Sequence, residues 1–192
     1  AARPDVVRAL LAVEARSNDC CNRRRRVILA HDSRLTQSLG LVGWLAIAFV
    51  AAAVGGSAAA DAPAFYGQLV LPTWAPPAGA FGPVWTVLYT LMGVAAWLVW
   101  RERRRLPVVP ALALFAAQLA VNAAWSWFFF AWKSGAAAFV AIVLLLGLIV
   151  ATMVAFYKVR RAAGLLFVPY LAWVGLATAL SWTVWRHNPT LL

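Results

Sequence analysis

Acidic residues are scarce in this chain: six Asp and Glu against 17 Lys and Arg, with two His and two Cys among 192 residues. Five long apolar stretches, at about residues 39–60, 81–100, 107–132, 136–157 and 162–185, hold no Asp, Glu, Lys, Arg or His at all. Ion-coupled carriers and proton pumps depend on ionisable groups at membrane depth, so this lack argues against that class. It also removes paired carboxylates and catalytic triads from the stretches. His31 and His187 lie outside them, which argues against a buried His-ligated haem or metal, and no cofactor is required. Cys20 and Cys21 are adjacent, and neighbouring cysteines rarely reach good disulfide geometry. They read as incidental thiols, with palmitoylation the functional alternative. No internal repeat stands out, which weighs against the inverted-repeat transporter folds.

What is present is apolar surface. Hydrophobic residues make up 64% of the chain and the mean hydropathy is +0.79, well above a soluble domain, where about half the residues are apolar. At ~20 residues per bilayer crossing, the five stretches predict an all-α integral membrane protein, a five-transmembrane-helix bundle. Residues 39–192 form this membrane domain. Residues 1–38 form a polar, Arg-rich N-terminal tail, read as disordered or loosely bound to the membrane surface. A targeting segment is the alternative, which the tail's acidic residues count against, and Val6–Ala15 could make a short amphipathic helix. The net charge of +11 would point to nucleic acid in a soluble protein. Here the cations sit in the connections between apolar stretches, where membrane topology places them, so no nucleic-acid partner is expected.

The charges also predict an orientation. The tail, the Arg101–Arg105 loop and the Lys158–Arg161 connection carry nearly all the Lys and Arg; the first loop carries none of these. The positive-inside rule then puts the N-terminus in the cytoplasm of a bacterial inner membrane, with the first loop outside. That loop, about Asp61–Ala80, holds Pro63, Pro72, Pro76 and Pro77 and is expected to contain no regular helix. It also carries Phe65, Tyr66 and Trp74, either as interface anchors or as a lid over the bundle.

Aromatic residues are the second abundance: 11 Trp, 10 Phe and 4 Tyr. Trp44, Trp97, Trp100, Trp132 and Trp185 lie toward crossing ends, as an interfacial belt would. Others share helical faces at deeper positions. These are Trp85, Tyr89 and Met92 on the second crossing; Gln118, Asn122, Trp125 and Phe129 on the third; and Tyr170, Trp173, Ala177 and Ser181 on the fifth. Flat rings beside a few neutral hydrogen-bonding groups suit a flat, largely apolar ligand. From phase alone, core packing is the stronger reading of these faces. Small residues form two stripes. Ala48, Ala52 and Gly56 on the first crossing allow close helix contact. Ala116, Ala120 and Ala124 on the third, roughly opposite Asn122, predict a homodimer interface.

Four motifs then carry a resemblance. Phe65-Tyr66 stands ahead of Pro72-Thr73-Trp74-Ala75-Pro76-Pro77, followed by Phe81-Gly82-Pro83-Val84-Trp85-Thr86-Val87-Leu88-Tyr89. Gln118-Leu119 leads to Asn122, Trp125-Ser126 and Phe128-Phe129. Pro169-Tyr170-Leu171-Ala172-Trp173 leads to Ala177, Leu180 and Asn188. In this order the sequence resembles the TspO/MBR family, the tryptophan-rich sensory and translocator proteins, also called the peripheral benzodiazepine receptor family. The resemblance implies a five-helix bundle that binds porphyrins and haem-like tetrapyrroles, and cholesterol and benzodiazepine-type drugs in animal members, under the first loop. It implies a binding set of Trp74, Pro76, Pro77, Trp85, Tyr89, Asn122, Trp125, Tyr170, Trp173 and Ala177. Trp85 and Trp173 match the tryptophans linked in bacterial members to light-dependent porphyrin breakdown. Ser181 stands where many members have Asn, and Trp182 where the cholesterol motif of animal members needs Tyr, which puts cholesterol binding in doubt. The function so implied is a tetrapyrrole-binding sensor or regulator. The alternatives are an enzyme that degrades porphyrin, with Trp85 and Trp173 as catalytic residues, and a carrier of porphyrins or related lipophiles.

Overall fold

The computed structural model describes residues 34–192. The chain divides at residue 40 into two units, and the second, Leu41–Leu192, holds every site discussed below. The expectations for Val6–Ala15, Cys20, Cys21, His31 and most of the tail lie outside the described residues. Among the described residues there are only helices and turns. Five of the helical spans are long and apolar enough to cross a membrane: Arg34–Ala58, Ala78–Trp100, Val109–Ala131, Gly135–Val159 and Arg161–His187. The protein is an integral membrane protein, because no water-facing fold could shelter helices of mean hydropathy 1.4 to 2.9.

The helices are named in chain order. α1 is Arg34–Ala58, starting five residues before the apolar run, so that its first turns are polar. α2, Ala62–Tyr66, is a single turn and a half inside the first loop. Its presence corrects the expectation of an irregular loop: Pro63 stands at the first turn, where a missing N–H costs nothing. A 3₁₀ turn, Ala78–Ala80, leads into α3, Phe81–Trp100. α4, Val109–Ser126, widens into a π turn at Trp127–Ala131, closed by Trp132 N–H donating to the Trp127 carbonyl at 2.9 Å. Sequence periodicity gave no sign of this turn, which shifts the phase of Phe128, Phe129 and Phe130 relative to the rest of α4. α5 is Gly135–Val159.

The fifth crossing is two helices, α6 at Arg161–Leu165 and α7 at Val168–His187. The break falls at Leu166–Phe167, and Pro169 stands in the first turn of α7, where a missing N–H costs nothing. α5 packs against both α4 and α7. Their shared core holds Phe115, Ile142, Leu145, Ile149, Phe156, Phe167 and Val174, all at most 1% exposed.

α1 is the loosest of the five; Ala48 is its fully buried apolar residue. Its close approaches follow the predicted stripe only in part: Ala48 is buried in the core and Ala52 packs against it, while two other contacts lie off the stripe. A Cβ on Gly93 of α3 would stand 3.0 Å from the Leu45 Cα, and one on Gly55 would stand 3.2 Å from the Ser126 hydroxyl. Gly56 meets nothing within 4 Å. On α4, Ala116 and Ala120 are exposed and Ala124 half-buried, so that stripe faces away from the bundle.

One end of the bundle is basic. Arg160 stands 3.8 Å from Glu102, joining the Arg101–Arg105 loop to the α5–α6 connection. Arg101 lies over Trp97 at 4.8 Å and Arg103 over Trp100 at 3.3 Å. Indole rings capped by guanidinium groups suit the boundary where hydrocarbon gives way to headgroups.

Candidate functional site

A chain of buried hydrogen bonds ties α3, α4 and α7 together. Tyr89 Oη–H donates to Asn122 Oδ1 at 2.5 Å. Asn122 Nδ2–H donates to Tyr170 Oη at 2.9 Å, and Tyr170 Oη–H donates to Gln118 Oε1 at 3.0 Å. Gln118 Nε2 reaches Met92 Sδ at 3.6 Å. Gln118 and Tyr170 are fully buried and Asn122 is 2% exposed. Each phenol and amide of this network has a partner within it, which offsets the cost of burying such groups in an apolar surround. Gln118 and Asn122 are four residues apart on α4, so one face presents both amides to the two phenols.

One end of this network opens on a cavity of about 600 Å³. Asn122 and Tyr89 form its polar floor, and Trp85, Trp125, Phe81 and Phe130 supply ring faces and edges. Small residues of α1, among them Ala52, Ala53, Gly55 and Gly56, leave the space that larger side chains would fill. Ala52 and Gly56, expected to sit in a helix contact, therefore help to shape the cavity. The first loop supplies Ala62, Pro63, Tyr66 and Ala78. Tyr66 Oη–H donates to the Pro76 carbonyl at 3.1 Å, and its ring meets Phe81 edge-on at 5.5 Å. Burial pushes the Tyr66 phenol above its ordinary pKa, so it stays a neutral donor.

The expected binding residues fall into four groups. Trp85, Tyr89, Asn122 and Trp125 line the cavity. Tyr170 stands behind it, held to Asn122 and edge-on to Trp85 at 6.1 Å. Trp173 and Ala177 are half-buried on α7 and are not among the lining residues. Phe81 meets Trp173 at 5.7 Å, and Trp173 instead borders an apolar groove with Pro83, Val84, Val87 and Pro169. Trp85 and Trp173 thus do not bracket one space. In the loop, Pro76 acts through its carbonyl, Pro77 precedes the 3₁₀ turn, and Trp74 is 46% exposed and not on the wall.

Sequence reasoning did not assign Phe49, Tyr66, Phe81 and Phe130 to the wall. Phe81 and Tyr66 lay inside quoted motifs, so a signal existed. Phe130 lies within the π turn, and Phe49 of α1 meets the Tyr89 ring at 6.3 Å.

The chain's similarity to known proteins agrees with this geometry. The TspO/MBR family model matches residues 44–186, which takes in every cavity residue named above. A tryptophan-rich protein TspO of Chlorobaculum tepidum is 44% identical over 129 residues, covering 65% of this chain and 80% of the relative. The human translocator protein is 42% identical over 127 residues, 65% of this chain and 75% of the relative. The protein CrtK of Rhodobacter capsulatus is 40% identical over 148 residues, 75% of this chain and 92% of the relative. With a membrane-spanning bundle that carries an aromatic cavity under its first loop, the chain belongs to the TspO/MBR family.

Proposed function

We propose that the cavity binds a flat, largely apolar tetrapyrrole of the porphyrin type, and that the protein acts as a membrane sensor or regulator of that ligand. The observation that carries this reading is the wall itself: Trp85, Trp125, Phe81 and Phe130 around a space of about 600 Å³, with Tyr89 and Asn122 as its polar floor. That volume is within the ~300–1,000 Å³ of small-molecule sites, and the mix of rings with a few fixed polar atoms is their usual lining. With no charged side chain on the wall, binding rests on stacking, burial and neutral hydrogen bonds. The test is a titration of protoporphyrin into the purified protein, followed by tryptophan fluorescence. Saturable quenching is expected, and its absence overturns the reading.

Orientation follows from the basic end. The Arg101–Arg105 loop and the Lys158–Arg161 connection face the cytoplasm of a bacterial inner membrane, as does the N-terminus, and the cavity's loop faces outward. With Cys20 and Cys21 replaced by serine, an impermeant thiol reagent on intact cells should label a Ser57→Cys variant and spare Leu106→Cys. The opposite pattern reverses the orientation.

The exposed stripe of Ala116, Ala120 and Ala124 fits a second copy of this chain, since small residues let helices approach closely in lipid. Ala120→Phe should shift dimer to monomer in detergent while helix content is kept. An unchanged dimer fraction by size exclusion with light scattering rejects this interface.

A further inference from the structure

Asn188 lies just beyond α7 and is 3% exposed, far along the chain from the loop it touches. Its side chain makes three hydrogen bonds. Val70 N–H donates to Asn188 Oδ1 at 2.8 Å, and Asn188 Nδ2–H donates to the Val70 carbonyl at 3.2 Å. The same amide nitrogen donates to the Val184 carbonyl at 2.8 Å, closing the last turn of α7. One side-chain amide therefore satisfies both backbone groups of a loop residue, as a neighbouring strand would. The side chain of Val70 is 61% exposed, so the hold is on backbone alone, while the adjacent Leu69 is buried among Phe65, Phe129, Leu180 and Val184.

The loop held in this way, residues 67–77, joins two parts of the cavity wall. Tyr66 precedes it, and Ala78 and Phe81 follow it. Across the base of the loop, Tyr66 is tied to the Pro76 carbonyl. The loop thus has two ties, one to its own chain beside the cavity and one to the end of α7.

We propose that Asn188 is a positioning residue for the cavity: its amide anchors the first loop to α7, and so fixes Tyr66 and Phe81 over a bound ligand. This rests on the ligand reading above for its consequence, but not for its first test. Only a side-chain amide meets this demand, because one group must accept from one backbone N–H while donating to two carbonyls, and glutamine would carry the amide one methylene farther from its backbone. Aspartate keeps the acceptor and loses both donors; alanine loses all three bonds.

Hydrogen exchange of the full chain in detergent tests the anchor without any ligand. In Asn188→Ala, amides of residues 67–71 should exchange about tenfold faster or more, with those of α3 and α4 unchanged. Asn188→Asp should exchange at least as fast as Asn188→Ala, because its second carboxylate oxygen would face the Val70 and Val184 carbonyls in place of the donating nitrogen. Unchanged exchange at residues 67–71 overturns the proposal, and so does a rise spread through the whole bundle, which would make Asn188 a general fold residue. The second arm is release of protoporphyrin after dilution, expected to be several-fold faster in both variants. Faster loop exchange with unchanged release overturns the positioning role. If the wild type binds no protoporphyrin, the ligand reading fails while the exchange arm still decides the anchor.

Discussion

Trp85→Ala is expected to weaken protoporphyrin binding by about tenfold or somewhat more, whereas Trp173→Ala should change it by no more than about twofold. The two tryptophans look alike in the sequence: each lies one helical turn from a tyrosine, within an aromatic motif. The structure separates them. Trp85 is on the cavity wall, tilted 32° to Tyr89 with ring centroids 5.5 Å apart. Trp173 lies against Phe81 and borders the apolar groove with Pro169. Ring stacking on an aromatic contributes roughly 0.5–1.5 kcal/mol beyond the area it buries, and ~1.4 kcal/mol is a factor of ten in affinity. Losing the Trp85 ring removes the stacking and part of the burial together. Losing the Trp173 ring acts only through the position of Phe81. If light-dependent breakdown of the ligand occurs here, it needs an indole close to the excited ring, so Trp85→Phe should lower it more than it lowers affinity. Titrations in the dark and under illumination, with Trp100→Phe as the control at the basic end, decide the point. Equal affinity in all variants would make these tryptophans packing residues.

The bundle was legible in the sequence because lipid removes most of the alternatives. A run of about twenty uncharged apolar residues has one stable form at membrane depth, and five such runs bounded by Arg, Lys, Pro and Gly give five helices. The faces of α3 and α4 were legible too, since helical phase alone put Trp85 with Tyr89 and Asn122 with Trp125. Three features were not. At the π turn after Ser126, Phe129 and Phe130 pack against Phe65 at 6.1 and 6.4 Å, contacts between residues far apart in the chain that helical phase does not report. The small residues of α1 read equally as helix contact or as empty space, and only the neighbouring helices decide which: Gly55 meets Ser126 while Gly56 meets nothing. The direction of the amide network was also hidden. Periodicity places Tyr170 on a face with Trp173, yet the partner that holds its hydroxyl is Gln118, 52 residues earlier.

Tyr170→Phe should destabilise the bundle more than Tyr89→Phe, although each removes one phenolic oxygen. Tyr170 is fully buried and has a bond on each side, accepting from Asn122 and donating to Gln118. Its loss strands the Gln118 carbonyl oxygen and an Asn122 N–H in the buried interior. An unpaired buried group costs about 1–3 kcal/mol, while interhelical hydrogen bonds in membrane proteins average only about 0.6 kcal/mol, because the unfolded chain in lipid also finds partners. About 2 kcal/mol for Tyr170→Phe lies between these bounds for two stranded groups. Tyr89 makes one of the network's bonds, and its partner Asn122 Oδ1 belongs to a residue on the cavity wall. Water or ligand in the cavity can replace the lost hydroxyl there, so Tyr89→Phe should cost about 1 kcal/mol or less. Unfolding of the two single variants and the double variant in detergent gives the comparison. Because both tyrosines bond the same asparagine, the double variant should lose less than the sum of the singles. A larger loss for Tyr89→Phe would mean that the network is held from its cavity end. In that case α7 would contribute little to the position of Asn122, and the site would depend on α3 and α4 alone.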